Sequence, residues 1–394
     1  MTTNQRRTGI WFGVGITVVA LAAFLGNYLP PGTAGQTDFV EYAAAARLLN
    51  DGENPYDARR LLELQRTAGW EGENAQMMWN PPWAFPLVLP AGWLDWPNSF
   101  LAWSAIQSLA VAFAVSLIWR SLGGLARFGH VPILLALAFA PTIFLARLGQ
   151  ISGFILLGLA GFLTLRDKRP ALAGIAAAVA ALKPHLLLPF AVLLIYDGVI
   201  SSAGRRVLLA GAVVLILAAL FPLPWNPDVW QQYIAAVKAP TDEFHSSPSD
   251  WQAPTFAASF RGAVGGGLAV QFLPSILATL GLLGYRFHRG AEWDWSKELP
   301  LVTMVAVLTS GYGAWGFDLV VLLLPVLQAA VWLIEGGRQR LSLWTGVGFL
   351  LFNAAMLMGL LPVLWWSPGI AVGYFALTFT RLSSSKDRAP ASPG

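Results

Sequence analysis

The chain has 394 residues, of which 56% are hydrophobic and only 12% charged, with a formal net charge of +4. Charged residues make up about a quarter of an ordinary soluble domain, so a soluble globular fold is excluded and a polytopic membrane protein is expected. The absence of cysteine excludes disulfide, zinc-thiolate and thiol chemistry, and His130, His185, His245 and His288 show no metal-ligand spacing.

In chain order, Arg6 and Arg7 precede an apolar run at residues 9–29. A signal peptide has a core of about 7–15 residues and a small-residue cleavage site. This run is longer and ends in Leu29-Pro30-Pro31, so it reads as a retained first span. Further candidate spans are 100–119, 131–146, 151–165, 171–182, 186–196, 207–221, 268–285, 299–310, 317–334, 343–361 and 363–380, twelve in all. The segment 83–94 is short and contains Pro86 and Pro90, so it reads as re-entrant or interfacial. With the N-terminus inside, 17 of the 25 basic residues but 7 of the 21 acidic ones face inward, a balance of +10 inside against −6 outside. That asymmetry obeys the positive-inside rule and puts both termini in the cytoplasm of a cell with the chain in its inner (plasma) membrane. Residues 1–382 form one integral membrane domain on this reading, and the polar 383–394 a disordered cytoplasmic tail. The long loops, 30–82 and 223–267, both fall outside. Long irregular loops usually carry function, so the machinery is expected on the outer face.

The first outer loop opens with "DFVEYAAAARLLNDGENPYD", residues 38–57. Phe39, Ala43, Ala46 and Leu49 recur at helical spacing, and a second helix is expected at 58–67 after the turn residues Asn54-Pro55-Tyr56-Asp57. Both read as short amphipathic helices on the membrane surface. Asp38 with Glu41 fits a capping arrangement, and Asp57 can cap the next helix. Alternatively, Asp38, nine residues beyond the first span, sits at the membrane boundary, where partial desolvation suits a general base.

"MMWNPPWAFPLVLP" at 77–90 reads either as a broken segment dipping into the outer leaflet or as a proline-rich interfacial turn. "LARLGQISG" places Arg147 and Gln150 at an outer junction, where Arg147 binds phosphate or snorkels to a headgroup. "ALKPHLLLPF" puts Lys183-Pro184-His185 between two very short spans, or at the kink of a single one. An ammonium within a span costs roughly 2.5–3.5 kcal/mol, and interrupted helices often line binding sites, although a tight surface turn is the plainer reading. Asp318 begins a span among Tyr312, Trp315 and Phe317, either as a dipole-favoured helix start or as part of a site. Asp242, Glu243, His245 and Asp250 read as a solvated loop. The Gly153/Gly158/Gly161 spacing and the alanine-rich run 171–181 read as helix packing. The basic residues are spread among inner loops, with no nucleic-acid footprint.

Taken in order, "DFVEYAAAARLLNDGENPYD", "NPPWAFPLVLP", the stretch from Leu148 to Phe190 and "WGFDLVVLLLP" resemble the polyprenyl-phosphate-mannose-dependent mannosyltransferase family of GT-C membrane glycosyltransferases. The resemblance covers most of residues 37–325. It implies an all-α, GT-C-like bundle of about twelve transmembrane helices, a polyprenyl-phosphate-linked sugar donor, a lipid or glycan acceptor, and no cofactor. The family's acidic residue after the first span falls on Asp38, its Gly-Gln pair on Gly149 and Gln150, and its Lys-Pro element on Lys183 and Pro184. Many members carry one or two histidines where this chain has Gly316, Phe317 and Asp318.

The implied chemistry is inverting transfer of a sugar, mannose first, to an acceptor hydroxyl. Asp38 is the expected base. Lys183, His185, Arg147 and Arg261 are candidates to meet the departing phosphate, whose charge rises in the transition state. Glu41, Gln150, Tyr312 and Asp318 are candidate substrate contacts. No metal is required if cations do this work. Rival readings are a transporter or lipid flippase, whose charged groups would line a pathway, and a non-catalytic assembly subunit.

Overall fold

A computed structural model describes residues 34–247, 254–312, 314–337 and 339–386. Among these residues every regular element is a helix. The expected first span at 9–29, Asp250 and the tail residues 387–394 lie outside the described residues.

Helix α1, Phe39–Asn50, overturns the expectation of a surface helix, because it is buried on nearly every side. The run Ala43 to Ala46 presents small side chains on all faces, which lets neighbouring backbone close in. A Cβ on Gly92 would come within 3.0 Å of the α1 backbone at Ala46 and Arg47. Asp38 precedes α1 with helical φ/ψ and makes no side-chain capping hydrogen bond, so the capping arrangement does not form. Helix α2, Ala58–Thr67, behaves as expected: Asp57 accepts from the backbone N–H of Arg60 at 3.0 Å, and only Leu61 and Gln65 are buried.

The proline-rich stretch that follows is a chain of short turns: a 3₁₀ turn at Pro82–Ala84, α3 at Phe85–Val88 and a 3₁₀ turn at Leu89–Gly92. Prolines permit a first helical turn but not its continuation. Next come α4 (Trp96–Ser121), α5 (Val131–Leu137), α6 (Ala140–Leu148), α7 (Ser152–Leu165) and α8 (Pro170–Ala178). The second half holds α9 (Leu188–Ile200), α10 (Ser202–Leu220), α11 (Val229–Lys238), α12 (Phe256–Val264), α13 (Leu268–Gln271), α14 (Leu273–Arg289) and α15 (Trp295–Thr309). Helices α16 (Leu323–Glu335), α17 (Gln339–Leu357) and α18 (Trp366–Lys386) complete the described chain.

Among the described residues, six helical stretches are long and apolar enough to cross a membrane: Trp96–Ser121, Ser202–Leu220, Leu268–Glu292, Asp318–Glu335, Gln339–Leu357 and Val363–Thr380. A seventh is added if the pair Ala126–Leu137 and Ala140–Leu148, bent by 61°, counts as one broken span. The expected number was twelve. Of these, 9–29 lies outside the described residues; the difference within them lies in α15 with its 15 residues and internal Pro300, and in three short apolar helices, Ser152–Leu165, Pro170–Leu182 and Leu188–Ile200. Each short helix falls below the roughly 20 residues that a hydrocarbon core requires. Leu209, Val213, Ile216 and Leu220 on α10, and Ile276, Leu277 and Leu280 on α14, are exposed large apolar side chains, as a lipid-facing surface demands.

The short helices pack tightly on one another. Cβ atoms on Gly158 and Gly161 of α7 would come within 3.0 Å of Ala176 of α8, so these glycines set the approach of the two helices. After α8 a 3₁₀ turn, Val179–Leu182, unwinds into Lys183, whose φ of −134° and ψ of 77° are not helical. The interruption frees carbonyls that must find donors away from water. Trp83 donates its indole N–H to the Ala181 carbonyl at 2.8 Å, and Asn80 its amide to the Leu182 carbonyl at 2.7 Å. The proline-rich turns therefore stabilise the break at Pro184. Near the other end of α9, Asp197 accepts from Arg286 at 2.9 Å and from the Trp295 indole at 2.7 Å, tying α9 to α14 and α15.

Candidate active site

Asp38 and Glu41 come from the start of α1, Gln150 from the turn between α6 and α7, Lys183 and His185 from the break after α8, and Tyr312 and Asp318 from the loop after α15 and the start of the next span. All seven line one cavity of about 640 Å³, within the usual size range of small-molecule sites. Arg147 and Arg261, the other two expected phosphate contacts, are not among its lining residues.

Gln150 is the hub. Its amide nitrogen donates to Asp38 Oδ2 at 3.0 Å and to Glu41 Oε1 at 3.2 Å, while its oxygen accepts from the Tyr42 hydroxyl at 2.8 Å and from Lys183 Nζ at 3.2 Å. Two donors and two acceptors exhaust the amide's usual capacity. The opposite amide orientation would set an N–H₂ group against the lysine ammonium. Gly149 makes this turn possible: its φ is +68°, and a Cβ there would lie 2.7 Å from Phe39 Cβ. Glycine adopts that left-handed backbone without steric cost. Its carbonyl accepts from the Trp103 indole at 2.7 Å, which anchors the turn to α4.

Lys183 pairs with Asp318 at 2.7 Å, and its ammonium lies 4.8 Å from the Phe317 ring centroid. The ammonium that looks costly in the sequence thus has an anion beside it. Asp318 is fully enclosed and also accepts from Ser152 Oγ at 2.5 Å and from the Trp315 backbone N–H at 3.2 Å. It is a buried partner of Lys183 rather than an exposed helix-start residue.

Burial raises the Asp38 carboxyl, opposed by the Gln150 hydrogen bond and by Lys183. Burial and then the neighbouring Asp38 push Glu41 up to about 8. Burial and then Lys183 bring His185 down to about 4, so its ring is neutral at physiological pH and offers an N–H rather than a charge. Both carboxyls are therefore raised, chiefly by burial, and at each of them Gln150 and Lys183 oppose the shift. Ionisable groups perturbed in this way cluster at functional sites.

Tyr42, Asn80, Ser152 and Tyr233 were not singled out in the sequence. The first two line the cavity or hold its wall within stretches already recognised, and Ser152 lies two residues beyond Gln150. Tyr233 of α11 lines the cavity too, and nothing in its local sequence marks it. His245 departs from the solvated-loop reading. It is 4% exposed, its Nδ1 lies 3.0 Å from Asp242 Oδ1, and its ring centroid is 6.2 Å from that of Trp79.

The sequence model of Glycosyltransferase family 87 matches residues 79–311, more than half of the chain. The chain belongs to glycosyltransferase family 87. No curated protein and no solved structure matches it. This family 87 protein is a polytopic, all-helical membrane glycosyltransferase, which implies a lipid-linked donor and an acceptor in a membrane. The matched stretch contains Gln150, Lys183 and His185. Asp38, Glu41 and Asp318 lie outside it in sequence but in the same cavity.

Proposed function

We propose that this family 87 enzyme transfers a sugar, mannose first among candidates, from a polyprenyl-phosphate donor to an acceptor hydroxyl, with inversion, at the outer face of the inner (plasma) membrane. One observation carries the reading. On the twelve-span reading of the sequence, residues 30–82, the 147–150 junction, the 183–185 break, the 223–267 loop and the 311–316 loop fall on the same side of the bilayer. The cavity draws its polar lining from these five segments, joined by Asp318 at the edge of the last. Polar groups gathered near one face suit an enzyme acting there better than a pathway through the bilayer.

In the proposed reaction Asp38 Oδ1 takes the proton of the acceptor hydroxyl, while Gln150 holds Oδ2. The acceptor oxygen attacks the anomeric carbon from the side opposite the phosphate. The bond from that carbon to the phosphate oxygen breaks, and the electron pair leaves with the lipid phosphate. Lys183 meets the growing charge with its remaining N–H, and His185 adds a neutral donor. Fixed donors aimed at developing charge are usually the largest contribution to such a step. Phosphate leaves without a strong acid, so one base suffices.

The test is transfer from labelled polyprenyl-phosphate sugars by purified protein in lipid nanodiscs. Asp38→Asn is expected to be at least as stable as the parent, because Asp38 caps nothing, an Asn oxygen can still accept from Gln150 and a buried carboxyl is replaced by a neutral group, and to abolish transfer. Near-parental turnover by Asp38→Asn would sink the assignment.

A further inference from the structure

A second cavity, of about 370 Å³, adjoins the first, and Gln76 and Trp79 line both. Its wall is the irregular stretch 70–79 with Ser246 from the second outer loop. The stretch lacks regular structure yet is tied down along its length. Gln65 and the backbone of Gln76 exchange two hydrogen bonds, at 2.7 and 2.9 Å. The Ala75 N–H donates to the Phe244 carbonyl at 2.7 Å, and Arg66 donates to the Gly72 carbonyl at 3.0 Å. The Trp70 indole donates to the Asn74 carbonyl at 2.8 Å, and its ring lies directly over Gly72, where any Cβ would strike it. An irregular loop held this firmly is a pre-formed surface, which lowers the entropic cost of binding.

The chemistry of the wall is specific. Two indoles, Trp70 and Trp79, stand among Glu73, Asn74, Gln76 and Ser246, and none of the lining residues is cationic. A phosphate or other anion would find no charge partner there. A pyranose has the matching pattern: a face of C–H bonds that packs on an aromatic ring, and a rim of hydroxyls that hydrogen-bond to carboxylate, amide and hydroxyl groups.

We propose that this cavity is a saccharide subsite, holding the sugar unit next to the one that presents its hydroxyl to Asp38, so that the acceptor is a glycan of at least two pyranose units. This rests on the transferase reading above and extends it to the acceptor. Glucosyl, galactosyl and mannosyl units all share the required face and rim. Trp70 and Glu73 are among the residues that line this cavity and not the reaction cavity, so they report on this unit alone.

The experiment uses the full chain in nanodiscs with methyl glycosides of mannose, glucose and galactose and with their α-linked disaccharides. Saturation-transfer NMR without donor reads binding, and transfer from the labelled donor reads kcat/KM. The disaccharide series is expected to exceed its monosaccharides by about tenfold, the scale of one well-made contact. Trp70→Ala removes that advantage, and Trp70→Phe, which keeps the ring face, retains most of it. The proposal is overturned if the parent shows no saturation transfer with any glycoside, or if Trp70→Ala keeps the full disaccharide advantage. Saccharide binding lost in Trp70→Ala, in a parent that never turns over donor, would fail the transferase reading alone. Normal turnover with no disaccharide preference would fail this inference alone.

Discussion

The Lys183–Asp318 pair allows a quantitative prediction. The two groups are 2.7 Å apart, with Asp318 fully enclosed and the Lys183 side chain 11% exposed. At an effective dielectric of about 20 their attraction is about 6 kcal/mol, much of it offset by the cost of removing both from water. Removing one partner of a buried pair typically costs about 3–5 kcal/mol, because the other is left uncompensated. The two ends are not equivalent here. In Lys183→Met, the fully enclosed Asp318 keeps only Ser152 and the Trp315 N–H, so the cost is about 3 kcal/mol, the low end of that range. In Asp318→Asn, Lys183 keeps the Gln150 oxygen, the Phe317 ring and the cavity itself, so the cost is about 1–2 kcal/mol. The double variant Lys183→Met/Asp318→Asn carries no stranded charge and should recover part of the loss. Membrane proteins of this size often unfold irreversibly, so the ranking of thermal midpoints at fixed scan rate is the appropriate measure. The expected order is parent, Asp318→Asn, double variant close to it, then Lys183→Met. A Lys183→Met protein as stable as the parent would refute the buried-pair argument. Equal losses in the two single variants would refute the asymmetry.

Glu41 makes stability depend on pH. Its carboxyl stands at about 8 against an ordinary 4.5, so between those values the folded protein binds a proton that the unfolded chain has released. Stability is full below about 4.5 and falls as pH rises toward 8, by at most about 5 kcal/mol; Asp38, also raised, adds in the same direction. Glu41→Gln should flatten the thermal midpoint against pH, and an unchanged slope would refute the assignment. Gln150→Leu should cost at least about 2 kcal/mol of stability and lower the thermal midpoint, since it strands partners on both sides of the amide. It also removes the hydrogen bond that lowers Asp38, so the acid limb of the kcat/KM profile should move to higher pH. A profile that only scales down, without moving, would make Gln150 a purely structural residue.

Much of this protein is legible locally. Hydropathy identifies the class and most of the helices, because a chain in lipid must satisfy its backbone within each segment. Asp57 caps α2 through a bond three residues away, and Pro184 interrupts a helix by its own ring; both depend only on near neighbours. Residue chemistry at loop–helix junctions also picked out seven side chains that meet in one cavity. Tertiary structure decided what these residues do to each other. Asp38 and Glu41 carry a capping pattern, yet their carboxylates turn to Gln150, more than 100 residues away. Lys183 finds its anion 135 residues further on. Helix α1 has the spacing of a surface helix, but its alanine run lets the turns after Pro82 close over it and bury it. Local propensity weighs fractions of a kcal/mol per residue, whereas enclosing a carboxylate or an ammonium costs several. Where the two compete, the partner brought in by packing decides, and a single sequence read residue by residue does not contain that partner's position.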